Sequence, residues 1–122
     1  MGAGMAWSRS HYDEVLVMKG YSLRFYMHEN RRHRGVLLYE WLLEQAKKRG
    51  IHGGSAFRAI AGYGRHGVLH EQTFFELAGD VTVMVEFIVE DAEAETLLEI
   101  VREDGAPLFW VKFQAEFGTS QG

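Results

Sequence analysis

At 122 residues, 47% hydrophobic and 25% charged with a single proline, the chain has the size of one compact domain and the composition of a globular one, which excludes disordered and collagen-like classes. The absence of cysteine excludes disulfides, thiolate metal sites and a cysteine nucleophile. Thirteen Lys and Arg against 17 Asp and Glu give a net charge of −4, which argues against a protein that coats duplex nucleic acid.

Residues 1–17 hold Gly2, Gly4, Ser8 and Ser10 without a sustained period, and they are expected to form a flexible tail. Neither a secretory signal nor a run of about 18–20 apolar residues is present, so a cytoplasmic protein is expected. From Tyr21 to His28 the residues alternate, with Tyr21, Leu23, Phe25 and Met27 on one side and Ser22, Arg24, Tyr26 and His28 on the other. That is the period of a half-buried strand. After the charged break 29–35, Leu38, Trp41, Leu42 and Ala46 form the apolar stripe of an amphipathic helix over 36–49, and Gly50 supplies its left-handed stop.

Ser55 to Ala61 is predicted as the second strand. Val81, Val83, Val85, Phe87 and Val89 alternate through a third. Asp91 reads as the N-cap of a second helix that carries Leu97, Leu98 and Val101 inward and ends at Asp104-Gly105. Phe109, Val111, Phe113, Ala115 and Phe117 alternate with Trp110, Lys112, Gln114 and Glu116 in the last strand, leaving 118–122 as a C-terminal tail. The order βαββαβ predicts an α+β ferredoxin-like sandwich over 18–117, a four-stranded antiparallel sheet with two helices on one face.

The uncovered sheet face is expected to hold Arg24, Tyr26, Arg58, Ile60, Met84, Glu86, Ile88, Trp110, Lys112 and Glu116. Large apolar groups in such a set mark an interface, and a homo-oligomer is expected in which Arg24, Arg58 and Lys112 pair with Glu86 and Glu116.

The run Arg31-Arg32-His33-Arg34 precedes the first helix and is a candidate anion site, because guanidinium groups and free helix N–H groups both suit phosphate oxygens. His66 and His70, with His28, His33 and Glu71, have the donor chemistry of a zinc or copper site, although Gly67 breaks helical register between the pair. Ser55 lacks a nucleophile elbow, and no Walker loop or dinucleotide fingerprint occurs, so no enzyme is expected. The glycine-rich loop 62–80 is long for a link between adjacent strands, and loops of that length commonly carry function.

Gly50-Ile51-His52-Gly53-Gly54-Ser55 leading into Ala61-Gly62-Tyr63-Gly64-Arg65-His66-Gly67, then Val81 to Asp91, resembles the PII signalling superfamily. Met18-Lys19-Gly20, Gly35-x3-Tyr39-Glu40 and Arg58-Ala59-Ile60-Ala61-Gly62-Tyr63-Gly64 are similar to the small PII-like family long classed as a domain of unknown function. This resemblance implies a homotrimer with effector clefts between subunits at the base of a T-loop, here 62–80. It further implies an adenine nucleotide as ligand, no required cofactor, and a target protein that reads the loop, with a membrane-associated one among the options.

By motif, Gly62, Tyr63 and Gly64 would line the cleft and Arg65 would sit where the loop departs. PII proteins hold phosphates with a glycine-rich, lysine-bearing loop before the last strand and a basic C-terminus. This chain has Glu103-Asp104-Gly105-Ala106-Pro107-Leu108 and Phe117-Gly118-Thr119-Ser120-Gln121-Gly122 there. The resemblance therefore implies a less charged effector such as AMP or ADP, with Arg31, Arg32 or Arg34 replacing the missing cations. The other reading is a CutA-like metal-binding protein using His66 and His70.

Overall fold

The stretches with the clearest two-residue period become the middle of a sheet. The structure is a computed structural model that describes residues 7–9, 16–63, 69, 70 and 81–121. Its strands are β1 (Trp7–Arg9), β2 (Leu16–His28), β3 (Arg32–His33), β4 (Val36–Leu37), β5 (Ser55–Arg58), β6 (Gly62–Tyr63), β7 (Leu69–His70), β8 (Thr82–Val89) and β9 (Phe109–Gly118). Helix α1 spans Leu38–Lys48 and helix α2 spans Asp91–Glu103.

The main sheet runs β5–β8–β2–β9 with every pairing antiparallel, the strand order of a ferredoxin-like sandwich, and both helices lie on one face. The segment expected to be a loose tail contributes β1, which pairs with the first residues of β2, Trp7 opposite Met18 and Arg9 opposite Leu16. Strand β2 thus begins at Leu16 rather than at Tyr21. Of the 62–80 segment, the described part is a two-pair ladder, Gly62 opposite His70 and Tyr63 opposite Leu69.

The core forms where apolar alternation on β2 and β8 meets the helical stripes. Leu23, Phe25, Val85, Phe87, Leu42 and Leu97 are buried, and the Phe25 and Phe87 rings meet edge to face at 6.2 Å. Each such side chain contributes about 1.5–3 kcal/mol on burial.

Both helices stop by the same device. Gly50 and Gly105 adopt φ of 80° and 71°, and the two amides past each helix bond back into its last turn: Gly50 to Lys47 and Ile51 to Ala46, Gly105 to Arg102 and Ala106 to Val101. This is the Schellman arrangement, and glycine is the residue for which that φ carries no Cβ penalty.

Helix α1 starts two residues later than its apolar period suggests, because Val36 and Leu37 pair with Arg32 and His33 in a small hairpin. The hairpin turns through Arg34 and Gly35, with φ of 52° and 81°, the positive pair of a type I′ turn. At α2 the N-cap is Glu90 rather than Asp91, and the Glu93 carboxylate accepts the Glu90 amide at 3.0 Å.

The outer strands face the opposite way from the sequence-based expectation. Lys112 stands across from Leu23 and Trp110 across from Phe25, so Trp110, Lys112, Gln114 and Glu116 share the helix side, while Phe109, Val111 and Phe113 take the open face. Likewise Phe57 pairs with Met84 on the open face and Arg58 with Val83 on the helix side, and β5 ends before Ile60. One residue of register inverts a strand. Polar groups are tolerated on the helix side of β9 because α2 packs chiefly over β2 and leaves the last strand at the margin.

The open face is therefore more apolar than expected: Phe57, Ile88, Phe109 and Phe113 are each 44–52% exposed on it. At its centre Glu86 accepts from Ser22 at 2.9 Å and from Arg24 at 3.0 Å, and the Arg24 guanidinium lies 4.6 Å over the Phe113 ring. The other two predicted cations find different partners, Arg58 with Glu29 at 2.9 Å and Lys112 with Glu95 at 3.6 Å.

Candidate functional site

Because α2 does not reach over β9, a groove of about 710 Å³ opens between them, lined by Leu98 and Arg102 of α2, the turn 105–108, and Trp110 and Lys112 of β9. Trp110 is 44% exposed there, a broad aromatic surface beside a short backbone turn. Farther along the same side of the sheet, Lys19, Tyr21, Asp91, Gln114 and Glu116 line a second hollow of about 540 Å³. Lys112 stands at the join, its ammonium 4.4 Å from the centre of the Tyr21 ring.

The described T-loop-like residues follow β5, the edge strand farthest from β9. Tyr63 follows β5, is 71% exposed, and sits in the short ladder with β7. Among the described residues, its chain neighbours aside, no atom lies within 4 Å of where a Cβ on Gly62 would be. Gly64, Arg65 and His66 lie outside the described residues. The β9 groove and the β5 edge share one end of the sheet, since Phe109 pairs with Tyr26 and Arg58 with Val83, itself opposite Met27. Three strand spacings, about 14 Å, separate β5 from β9.

Within the basic run, Arg34 and His33 are engaged by an acid of the chain itself. Arg34 donates from Nε to Asp104 Oδ2 at 2.6 Å and from Nη2 to Oδ1 at 3.1 Å, and His33 Nε2 meets the same Oδ2 at 2.6 Å. These donors hold the Asp104 carboxyl at about 2, below its ordinary value, Arg34 first and His33 second. The His33 ring stands edge-on to Trp41 at 4.6 Å, which ties the hairpin to α1 as well. Arg32 donates to the Gly35 carbonyl at 3.2 Å, and Arg31 is exposed. Arg102 in the groove pairs with Glu99 at 2.6 Å.

Sequence reasoning misses three participants. Asp104 reads there only as a helix terminator, and alternation puts Trp110 and Lys112 on the wrong face. Among the described residues no three His, Asp or Glu side chains converge as a metal site. The His66 side chain and that of His70 lie outside the described residues.

The sequence matches the family model DUF190, described as an uncharacterized ACR, over residues 20–105. The chain belongs to the DUF190 family. A UPF0166 protein of Aquifex aeolicus is 37% identical over 86 residues, covering 70% of this chain and 82% of the relative. A UPF0166 protein of Methanocaldococcus jannaschii is 27% identical over 93 residues, covering 73% and 85%.

Among solved structures, the DUF190 chain is similar to CPII of Thiomonas intermedia K12, a nitrogen regulatory PII-like protein bound to ADP, AMP and bicarbonate. The TM-score is 0.62 at 15% identity, over 84% of this chain and 92% of CPII. A protein of Thermus thermophilus described as PII-like and signalling matches at 0.57 and 15%, over 84% and 91%. The fold is thus that of PII-like proteins, a ferredoxin-like α+β sandwich. No helix among the described residues is long and apolar enough to cross a membrane.

Proposed function

We propose that this DUF190 chain is a cytoplasmic, non-enzymatic PII-like regulator, a homotrimer that takes an adenine nucleotide of low charge, AMP or ADP, between neighbouring subunits and signals through 62–80 to a target protein. One observation carries the reading: β5, the edge strand that leads to the exposed Tyr63, ends at the same end of the sheet as the Trp110 groove but on the opposite edge. Copies placed side by side, β5 edge to β9 edge, bring the two halves together. Such a heterologous contact makes a ring when its rotation closes. With the open faces turned inward, the exposed phenylalanines are covered in the same step. CPII, of like fold, was solved with ADP and AMP.

In the cleft, Trp110 of one subunit offers a ring for the base while Tyr63 and the open backbone at Gly62 of the next close over the ligand. Occupancy changes the loop only through the ligand's unequal affinity for its conformations. Calorimetric titration with AMP and ADP tests the reading. Binding at up to one site per subunit is expected, weakened about tenfold or more in Tyr63→Ala and in Trp110→Ala, the effect of removing a stacked base contact. Affinities unchanged in both folded variants contradict it.

A further inference from the structure

Of all charged clusters among the described residues, the one at Asp104 draws donors from the farthest apart in sequence. Arg34 is 70 residues away and His33 is 71. Three N–H donors converge on one carboxylate, a geometry that would equally suit a phosphate oxygen pair. Arg34 also holds φ at 52°, a conformation that costs a non-glycine residue free energy and that persists where surrounding contacts over-determine it. The hairpin turn sets that conformation, and the two-pronged bond to Asp104 adds a contact from outside the hairpin.

Asp104 is directly followed by Gly105, the residue that turns the chain into the groove-lining segment 105–108. The Arg34 guanidinium is therefore held beside the start of that segment, just outside the groove lining, by an acid of the chain itself. The groove's own cations are matched too, Arg102 by Glu99 and Lys112 by Glu95.

We propose that Asp104 is a specificity-determining residue of this groove: by occupying Arg34 and His33 it withholds their N–H donors from a polyphosphate chain, so that the site favours nucleoside mono- and diphosphates over triphosphates. The proposal rests on the nucleotide reading above and adds what sets the ligand's charge. Each further phosphate brings negative charge to a groove whose cations are already neutralised. The low proton affinity of Asp104 keeps its carboxylate charged, and Arg34 engaged, throughout the neutral range.

Titration of AMP, ADP and ATP into the wild type, Asp104→Asn, Asp104→Ala and the double variants with Arg34→Gln tests it. The ATP-to-AMP affinity ratio is expected to rise about tenfold in both single variants, the effect of one released charge-assisted donor, and to fall back when Arg34 is also replaced. An unchanged ratio in the folded single variants overturns the proposal, as does a gain that survives loss of Arg34.

Inorganic pyrophosphate, titrated into the same proteins by phosphorus NMR, separates this proposal from the nucleotide reading. If the wild type binds no adenine nucleotide, that reading falls. Pyrophosphate binding gained with Asp104→Ala and lost with Arg34→Gln then still supports the seat, and its absence overturns it. Thermal melts establish folding, and Asp104→Asn, which preserves the shape of the side chain, carries the test if the alanine variant does not fold.

Discussion

A Cβ on Gly20 would collide with the Val89 carbonyl and stand 3.0 Å from the Glu90 Cα, both backbone atoms that do not yield. On Gly62 it would meet no atom of the described residues within 4 Å, its chain neighbours aside. Gly20→Ala is therefore expected to lose about 1–3 kcal/mol in urea unfolding, while Gly62→Ala stays within about 0.5 kcal/mol. Equal losses would remove the steric argument. Asp104 has a pH signature of the same origin. Its folded value, about 2, is below the ordinary carboxylate value near 3.9, so its stabilising contribution is present above about pH 4 and is lost as the pH falls toward 2. The difference in stability between wild type and Asp104→Asn is expected to shrink across that window, and a difference that stays constant from pH 6 to pH 2 would contradict the pairing. Neither Arg34 nor His33 betrays this bond in sequence, because the partner lies some 70 residues away and is brought close only by folding.

At the scale of elements, strands β2 and β8 were legible because each has one side packed into the core and the other on a mixed surface, so that the alternation names the buried side. Strand β9 alternates as regularly, but both of its sides are half-covered: phenylalanines meet the open face and a Trp-Lys-Gln-Glu row meets the margin of α2. Hydrophobicity alone selects the wrong side. The hairpin of β3 and β4 was illegible for another reason, since a two-residue strand has no period and its turn uses Arg34 where asparagine is usual. Helix ends were legible because glycine at a left-handed stop is a local requirement. Gly105→Ala, forced to keep φ near 71°, is expected to cost about 1–2 kcal/mol and to loosen the turn 105–108. Weakened amide-exchange protection at Ala106 would register it, and unchanged protection would show that the turn is held by other contacts.

For the whole molecule, the open face and the split site point the same way. Phe57, Ile88, Phe109 and Phe113 leave a wide apolar patch, and β5 and β9, which carry the two halves of the proposed ligand site, stand about three strand spacings apart. Phe113→Asp is expected to reduce the particle to a monomer by light scattering while far-ultraviolet dichroism stays native, and a trimer that survives would place the contact elsewhere. The PII-like fold was legible from motif order, but the proposed meeting of the two edges rests on register. The most direct test is complementation: Tyr63→Ala and Trp110→Ala chains, each defective alone, are refolded together and titrated with ADP. If neighbouring subunits share the site, about a quarter of the clefts in randomly mixed trimers pair an intact Tyr63 with an intact Trp110, and that fraction of binding returns. Mixed trimers that bind no better than either variant alone would contradict the shared cleft.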